Sequence, residues 1–180
     1  MSNILSLVGR PNVGKSTLFN RLTQSREAIV DSIAGVTRDR NYGKSDWNGY
    51  EFSVIDTGGY VVGSSDIFEA EIRKQAALAI DESDVIVLVV DGREGLSPLD
   101  EEIASILRRS KKPFYLAVNK IDSPSNFFDY TEFYALGVDE IFPISAVSGS
   151  GTGDLLDAVV KHFTHEEDHI IDELPKITVV

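Results

Sequence analysis

Residues 9–16 read Gly-Arg-Pro-Asn-Val-Gly-Lys-Ser and fit the pattern G-x-x-x-x-G-K-[S/T]. The apolar run Ile4–Val8 comes directly before this stretch, and a helical pattern follows it to about Leu22. A strand, a glycine-rich loop and a helix in this order let backbone N–H groups and the amino end of the helix surround phosphate oxygens. The stretch therefore predicts a phosphate-binding loop within a P-loop NTPase fold.

The side chains of this loop indicate what it binds. Lys15 is expected to place its ammonium between the outer phosphates of a nucleotide, and Ser16 to bind Mg²⁺ through its hydroxyl. The loop pattern alone does not distinguish ATP from GTP. The residues predicted to contact the nucleotide here are Gly9, Asn12, Val13, Gly14, Lys15, Ser16 and Thr17.

A second motif favours guanine. Residues 119–122 read Asn-Lys-Ile-Asp directly after the apolar run Phe114–Val118. A carboxylate at Asp122 can accept hydrogen bonds from N1–H and the exocyclic amino group of guanine, whereas adenine has an acceptor at N1 and no amino group at C2. Asn119 is expected to hold the loop and reach the base edge, with the stem of Lys120 packed over the ring.

Two further stretches complete the predicted site. Residues 56–59 read Asp-Thr-Gly-Gly at the end of a strand pattern, so Asp56 is expected to touch Mg²⁺ through water and the N–H of Gly59 to approach the γ-phosphate. Thr37 is the only threonine in the long polar stretch before them, and its hydroxyl is expected to complete the Mg²⁺ shell while the γ-phosphate is present. The residues expected to contact the base through backbone groups are Ser145 and Ala146.

The rest of the chain alternates between strand and helix patterns. Such alternation predicts an α/β fold with a mostly parallel six-stranded sheet, one antiparallel strand and helices on both faces. Asn48-Gly49 is a hairpin signal, Ser97-Pro98 a helix start and Gly137 a helix end. The other predicted strands are Lys44–Trp47, Glu51–Ile55, Val85–Val90, Phe114–Val118 and Glu140–Ile144, and the helices are Glu69–Ile80, Pro98–Leu107, Phe127–Leu136 and Asp154–Phe163.

Composition excludes several classes of protein. The 180 residues contain no Cys, which rules out a disulfide scaffold and a Cys-ligated metal. The longest aliphatic run, Val85–Val90, is far shorter than the roughly 20 residues that span a bilayer, and the first eight residues carry no Lys or Arg, unlike a signal peptide. A cytoplasmic protein is therefore expected. With 17 Lys and Arg against 29 Asp and Glu, a net charge of −12, no direct nucleic-acid binding is expected of this chain.

The patterns divide the chain into three parts. Residues 1–164 are predicted to form the nucleotide-binding domain, and the acidic stretch 165–175 a linker. The strand-like run Lys176–Val180 is similar to the opening run Asn3–Val8, which predicts the truncated start of a second copy of the same domain. A tail strand without such a role is the alternative.

The motifs at residues 9–16, 35–39 (Gly-Val-Thr-Arg-Asp), 56–59 and 119–122 together resemble the Der (EngA) family, in the Era-like branch of the translation-factor-like GTPases. The resemblance covers residues 3 to about 163 and corresponds to the amino-terminal GTPase domain. It implies a cytoplasmic bacterial GTPase with two tandem GTPase domains and a KH-like domain, which assists assembly of the large ribosomal subunit.

The resemblance also implies roles in hydrolysis. Asn12 matches a loop residue that coordinates K⁺ in K⁺-stimulated relatives, and Tyr60 stands where many regulatory GTPases carry a water-orienting Gln, so hydrolysis by the domain alone should be slow. The residues expected to act in catalysis are Asn12, Lys15, Thr37 and Gly59; those expected to bind Mg²⁺ are Ser16, Thr37 and Asp56, with Asn12 for K⁺.

Two other readings of the motifs are open. One is a nucleotide-gated binding module whose hydrolysis is negligible without a partner. The other is a kinase-type phosphotransferase, which would share the phosphate loop but would have no use for Asn119 and Asp122.

Overall fold

The computed structural model describes residues 3–23, 41–58, 65–122 and 130–164, and within these ranges six strands form a single sheet in the order β2-β3-β1-β4-β5-β6. The β2–β3 pair is antiparallel and the other neighbouring pairs are parallel, which confirms the predicted sheet. The strands are β1 (Asn3–Val8), β2 (Asn41–Trp47), β3 (Tyr50–Asp56), β4 (Val85–Asp91), β5 (Phe114–Asn119) and β6 (Ile141–Pro143).

Helices cover both faces of this sheet. The four α-helices are α1 (Lys15–Thr23), α2 (Ser65–Glu82), α3 (Pro98–Ser110) and α4 (Thr152–Val159), and 3₁₀ helices span Tyr130–Leu136 and Val160–His162. Helices α1 and α4 pack on one face, and α2, α3 and the first 3₁₀ helix on the other. Within the described ranges no helix is both long and apolar enough to cross a membrane.

Strand β4 shows how the sequence builds two cores. All seven of its residues are buried, as expected for a central parallel strand covered on both sides. Because successive side chains point to opposite faces, Val85, Val87 and Val89 pack with α1 and α4, whereas Ile86, Leu88 and Val90 pack with α2 and α3.

The hairpin between β2 and β3 forms where the sequence predicts it. Asn48 and Gly49 have φ values of 49° and 84°, the left-handed conformation that a two-residue turn of this kind requires. Asp157 of α4 accepts hydrogen bonds from the Trp47 indole N–H at 2.7 Å and from the Asn48 amide at 2.8 Å. These bonds tie the edge of the sheet to α4.

Some predicted boundaries and one helix type are wrong. The predicted helix Phe127–Leu136 is, in its described part, a 3₁₀ helix over Tyr130–Leu136. Residues three apart align in a 3₁₀ helix, and Phe133 and Leu136 are both 1% exposed, so this winding buries two large side chains on one side. Gly137, with φ of 70°, ends the helix as predicted.

The remaining differences concern element ends. Strand β2 begins at Asn41, three residues earlier than predicted, because the strand pairs with β3 along its whole length to Asp56. Strand β6 covers only residues 141–143, and the last helix changes from α to 3₁₀ at Val160.

The topology brings polar residues to one edge of the sheet. Parallel strands β1, β3, β4 and β5 end side by side, and the register pairs Leu7 with Asp56 and Asp91 with Asn119. The loop after β1 therefore lies between the ends of β3 and β4, in the crevice where ligands of open α/β sheets bind.

Candidate nucleotide-binding site

The backbone of residues 9–16 folds into a tight loop that only particular residues permit. Gly9 has φ of 151°, and a Cβ there would lie 2.3 Å from the carbonyl oxygen of Val89. Gly14 has φ of 99°, and a Cβ there would lie 2.2 Å from Nδ2 of Asn119. Asn12 is left-handed as well, with φ of 65°, which Asn tolerates better than most residues.

Lys15 begins α1 and points back into this loop. Its Nζ donates to the carbonyl oxygens of Gly9 at 2.7 Å and Arg10 at 2.8 Å, and the residue is 6% exposed. Burial lowers the pKa of Lys15 to about 8, with the carboxylates of Asp56 and Asp100 acting in the opposite direction. An ammonium held this way is a ready partner for phosphate oxygens.

This lowered pKa predicts a pH dependence of nucleotide binding. As the pH rises through about 8, Lys15 of the free protein loses its proton, whereas phosphate favours the charged form. Above that pH we expect the affinity for GDP to fall by up to roughly tenfold per pH unit. Calorimetric titration with GDP between pH 7 and pH 9 measures this change in affinity. Lys15→Ala removes the titrating group and corrects for titration of the ligand, so a wild-type to variant affinity ratio that is independent of pH would contradict this prediction.

Ser16 and Asp56 bring two oxygens together beside Lys15. The Ser16 hydroxyl donates to Oδ2 of Asp56 at 2.7 Å, and Oδ1 of the same carboxylate accepts from the N–H of Gly58 at 2.9 Å. Hydroxyl and carboxylate oxygens are the ligands that Mg²⁺ prefers, so this pair fits the predicted metal site. A Cβ on Gly58 would lie 2.9 Å from Cε of Lys15, which shows how closely the end of β3 approaches the lysine.

Asn119 links the phosphate loop to the loop that follows β6. Its Nδ2 donates to the carbonyl oxygen of Val13 at 2.8 Å, and its Oδ1 accepts from the N–H of Ala146 at 2.9 Å. The residue is 2% exposed, so both polar atoms of the amide are satisfied inside the protein.

Lys120 forms a second link. Its Nζ donates to the carbonyl oxygen of Asn12 at 2.7 Å and pairs with Asp91 at the end of β4. The other oxygen of Asp91 accepts from the N–H groups of Arg93 at 2.9 Å and Glu94 at 3.2 Å. Burial alone would raise the pKa of Asp91, but these hydrogen bonds outweigh it, so the pKa lies below its ordinary value.

Asp122 lies beyond Lys120 with its carboxylate partly open to solvent, at 43% side-chain exposure. Its Oδ1 accepts from the hydroxyl of Ser145 at 2.7 Å, and its Oδ2 pairs with the guanidinium of Arg93. Ser145 itself is fully buried after β6, and its N–H donates to the carbonyl oxygen of Ser150 at 2.9 Å.

Arg10 connects the phosphate loop to α3. It pairs with Glu94 at 2.6 Å and with the fully buried Asp100 at 3.3 Å. Asp100 also accepts from the N–H of Ser97 at 3.1 Å, as part of the capping box that starts α3 at Pro98. Burial lowers and the two carboxylates raise the pKa of Arg10, with a net increase.

Most of the predicted site residues meet at this edge of the sheet. Thr17 is exposed in the first turn of α1, next to Ser16. Thr37 and Gly59 lie outside the described residues, as does Tyr60. The residues brought together are Gly9, Asn12, Val13, Gly14, Lys15, Ser16, Asp56, Asn119, Lys120, Asp122, Ser145 and Ala146.

Sequence reasoning missed four residues of the site: Arg10, Asp91, Arg93 and Asp100. Asp91 closes β4 as Asp56 closes β3 and Asn119 closes β5, and this repetition could have revealed it. Arg93 has no comparable signal, because its contact with Asp122 depends on the turn after β4.

Comparison with known proteins agrees with this geometry. Residues 4–120 match the model of the 50S ribosome-binding GTPase family. The chain belongs to this family. GTPase Der of Christiangramia forsetii is 60% identical over 180 residues, which are 100% of this chain and 42% of that protein. The predicted resemblance to the amino-terminal GTPase domain of the Der family is confirmed, and the chain spans about two fifths of the length of such curated relatives.

Solved structures of related GTPases have the same fold. The crystal structure of a variant of Aquifex aeolicus Era bound to GDP·AlF₄⁻ has a TM-score of 0.70 at 29% identity and covers 91% of this chain and 57% of that chain. Era in complex with MgGDPNP and nucleotides 1506–1542 of 16S ribosomal RNA has a TM-score of 0.70 at 28% identity, covering 99% of this chain and 59% of that chain. The fold predicted from the sequence is thereby confirmed.

Proposed function

We propose that this domain binds Mg²⁺ and GTP and hydrolyses the β–γ bond by in-line attack of water, giving GDP. The observation that carries the proposal is the Asn119 amide, which joins the phosphate loop at Val13 to the loop at Ala146 and so ties phosphate binding to base recognition. Curated relatives that carry the name GTPase Der support the same activity.

The predicted site residues have separable tasks in this proposal. Lys15 and the amides of the phosphate loop hold the outer phosphates, and Ser16 and Asp56, with Thr37, hold the metal. Bound Mg²⁺ neutralises charge on the β- and γ-phosphates. The Asp122 carboxylate accepts the N1–H and amino protons of guanine, and Gly59 approaches the γ-phosphate.

Calorimetry with GTP and ATP tests the proposal. Adenine offers Asp122 no donor at N1 and no amino group at C2, so we expect GTP to bind roughly a hundredfold or more tightly than ATP. Equal uptake of the two nucleotides would contradict it, and would favour the phosphotransferase reading instead.

We also propose that K⁺ stimulates hydrolysis through Asn12. The residue is exposed in the phosphate loop, and its carbonyl oxygen accepts a hydrogen bond from Lys120 at 2.7 Å. A monovalent cation there would stabilise charge that develops in the transition state.

Turnover in KCl and NaCl at equal ionic strength measures this effect. We expect roughly tenfold or greater stimulation by K⁺, lost in Asn12→Gly, because a single electrostatic contact of this kind contributes at least that much to the rate. Glycine is the suitable replacement since it accepts the φ of 65° without strain. Equal rates in the two salts would rule out the K⁺ site.

The full-length protein is proposed to act in the bacterial cytoplasm as a GTP-dependent switch in assembly of the large ribosomal subunit. A linker over residues 165–175, a second GTPase domain from residue 176 and a KH-like domain belong to this proposal. The net charge of −12 favours contact with the ribosome through those other parts rather than through this domain.

Single-turnover GTP hydrolysis with and without large ribosomal subunits separates the remaining alternatives. Subunits should accelerate GTP hydrolysis by the full-length protein and should not change the rate of hydrolysis by the isolated domain. Hydrolysis that occurs only with subunits would favour a nucleotide-gated binding module.

A further inference from the structure

We propose that Arg93 is a positioning residue for base selection: with Ser145, it holds the Asp122 carboxylate in the orientation that guanine requires. The inference rests on the proposed function, because the contact of Asp122 with guanine belongs to that proposal. Arg93 lies in the turn after β4, outside the four motifs that predict the site.

Among the residues that the structure describes, each oxygen of Asp122 has one partner. The Ser145 hydroxyl donates to Oδ1 at 2.7 Å, and the Arg93 guanidinium pairs with Oδ2. An ionised carboxylate offers about four acceptor positions, so Arg93 and Ser145 leave one position on each oxygen. Guanine presents two adjacent donors, N1–H and the amino group, which match one free position on each oxygen. Arg93 and guanine can therefore bind Asp122 at the same time.

Residues 119–122, the base-recognition loop, fix the backbone of Arg93. Asp91 accepts the N–H of Arg93 at 2.9 Å and also pairs with Lys120, two residues before Asp122. The N–H of Gly92 donates to the carbonyl oxygen of Asn119 at 2.8 Å. The turn and the base-recognition loop are thus connected through these hydrogen bonds, and the side chain of Arg93 extends from the turn to Asp122.

A Cβ on Gly92 would lie 2.6 Å from Cδ1 of Ile121, so the turn also packs closely against the centre of the loop. On the other side of the turn, Glu94 pairs with Arg10 of the phosphate loop at 2.6 Å. These contacts hold the turn from both sides, as a positioning element requires.

The solvent exposure of the Arg93–Asp122 ion pair indicates that it positions the carboxylate rather than stabilises the fold. The side chains of Arg93 and Asp122 are 61% and 43% exposed, and ion pairs this open to solvent add little to stability. Removal of the guanidinium should therefore leave the fold unchanged and release one of the two restraints on the carboxylate. In the variant, the carboxylate must lose rotational freedom when GDP binds, and this entropy cost lowers the affinity for GDP by roughly threefold to tenfold.

The experiment measures the affinity of Arg93→Ala for GDP and for inosine diphosphate, which lacks the amino group at C2. We expect about threefold to tenfold weaker binding of GDP, an unchanged melting temperature and a narrower preference for GDP over inosine diphosphate. This preference comes from the second hydrogen bond, which only GDP can form. A carboxylate that is free to rotate accepts both hydrogen bonds at once less often, so the difference between the two affinities should become smaller. Arg109→Ala is the matched control, since it removes an exposed arginine from the last turn of α3 and should alter none of these values.

A double-mutant cycle tests whether Arg93 acts through Asp122. In an Asp122→Ala background, Arg93→Ala should cause no further loss of GDP affinity. Equal losses in both backgrounds would overturn the inference. An unchanged GDP affinity in the single variant, or an increase that would mark Arg93 as a competitor of the base, would overturn it as well.

Failure of this inference differs from failure of the proposed function. If only the inference is wrong, Asp122→Asn still shifts the base preference while Arg93→Ala does not affect it. If the proposed function is wrong, Asp122→Asn leaves the base preference as it was.

Discussion

Lys15→Ala is expected to weaken GDP binding by about a hundredfold to ten-thousandfold, because two charge-assisted hydrogen bonds to phosphate are lost at roughly 1.5–3 kcal/mol each. In the free domain the ammonium is already held by the carbonyl oxygens of Gly9 and Arg10 at 2.7 and 2.8 Å. The ammonium has three donors, so binding two phosphate oxygens exchanges one carbonyl contact for a charged acceptor, and little side-chain freedom is left to lose.

Titration calorimetry with GDP measures this loss. Lys161→Ala is the matched control, because Lys161 is an exposed lysine in the 3₁₀ helix after α4 and its removal changes the net charge equally. The control should bind GDP as the wild type does. Binding by Lys15→Ala within tenfold of the wild type would mean that residues 9–16 are not the phosphate site.

Elements set by local chemistry are the ones that the sequence predicts. The phosphate loop needs glycine at positions 9 and 14 for its backbone conformation, the hairpin needs left-handed residues at Asn48 and Gly49, and α3 starts at the Ser97 cap. Each of these depends on a few adjacent residues, so the pattern carries enough information by itself.

Features set by tertiary contacts are the ones that it misses. The 3₁₀ winding of Tyr130–Leu136 follows from how Phe133 and Leu136 fit the core rather than from helix propensity. The role of Arg93 depends on the turn after β4 lying against the base-recognition loop, since Arg93 and Asp122 are 29 residues apart in sequence. No local pattern encodes that distance.

The site also shows why its motifs depend on one another. Asn119 donates a hydrogen bond to the carbonyl oxygen of Val13, and Lys120 donates one to the carbonyl oxygen of Asn12. A Cβ at Gly14 would lie 2.2 Å from the Asn119 amide nitrogen. The loop that holds phosphate and the loop that reads the base therefore share one framework. A substitution of Asn119 should change phosphate affinity and base affinity together, whereas Asp122, at the outer end of this framework, can change base preference alone.

Asp122→Asn is accordingly expected to exchange guanine for xanthine. The Arg93 guanidinium can only donate, so it fixes the amide oxygen on its own side and leaves the NH₂ group beside Ser145, whose hydroxyl can accept. An amide then offers the base one acceptor and one donor. Xanthine keeps N1–H and carries a carbonyl at C2, which matches this pair, whereas the amino group of guanine meets a second donor.

The expected size follows from those contacts. Guanosine diphosphate loses a charge-assisted hydrogen bond and gains an unpaired donor, which together weaken its binding by roughly a hundredfold to a thousandfold. The affinity for xanthosine diphosphate increases by a comparable factor, so the variant prefers xanthine to guanine. Calorimetry with both diphosphates measures the reversal, and the melting temperature of the free domain should hardly change since the Asp122 side chain is 43% exposed. Full retention of the preference for guanine would show that another group reads the base.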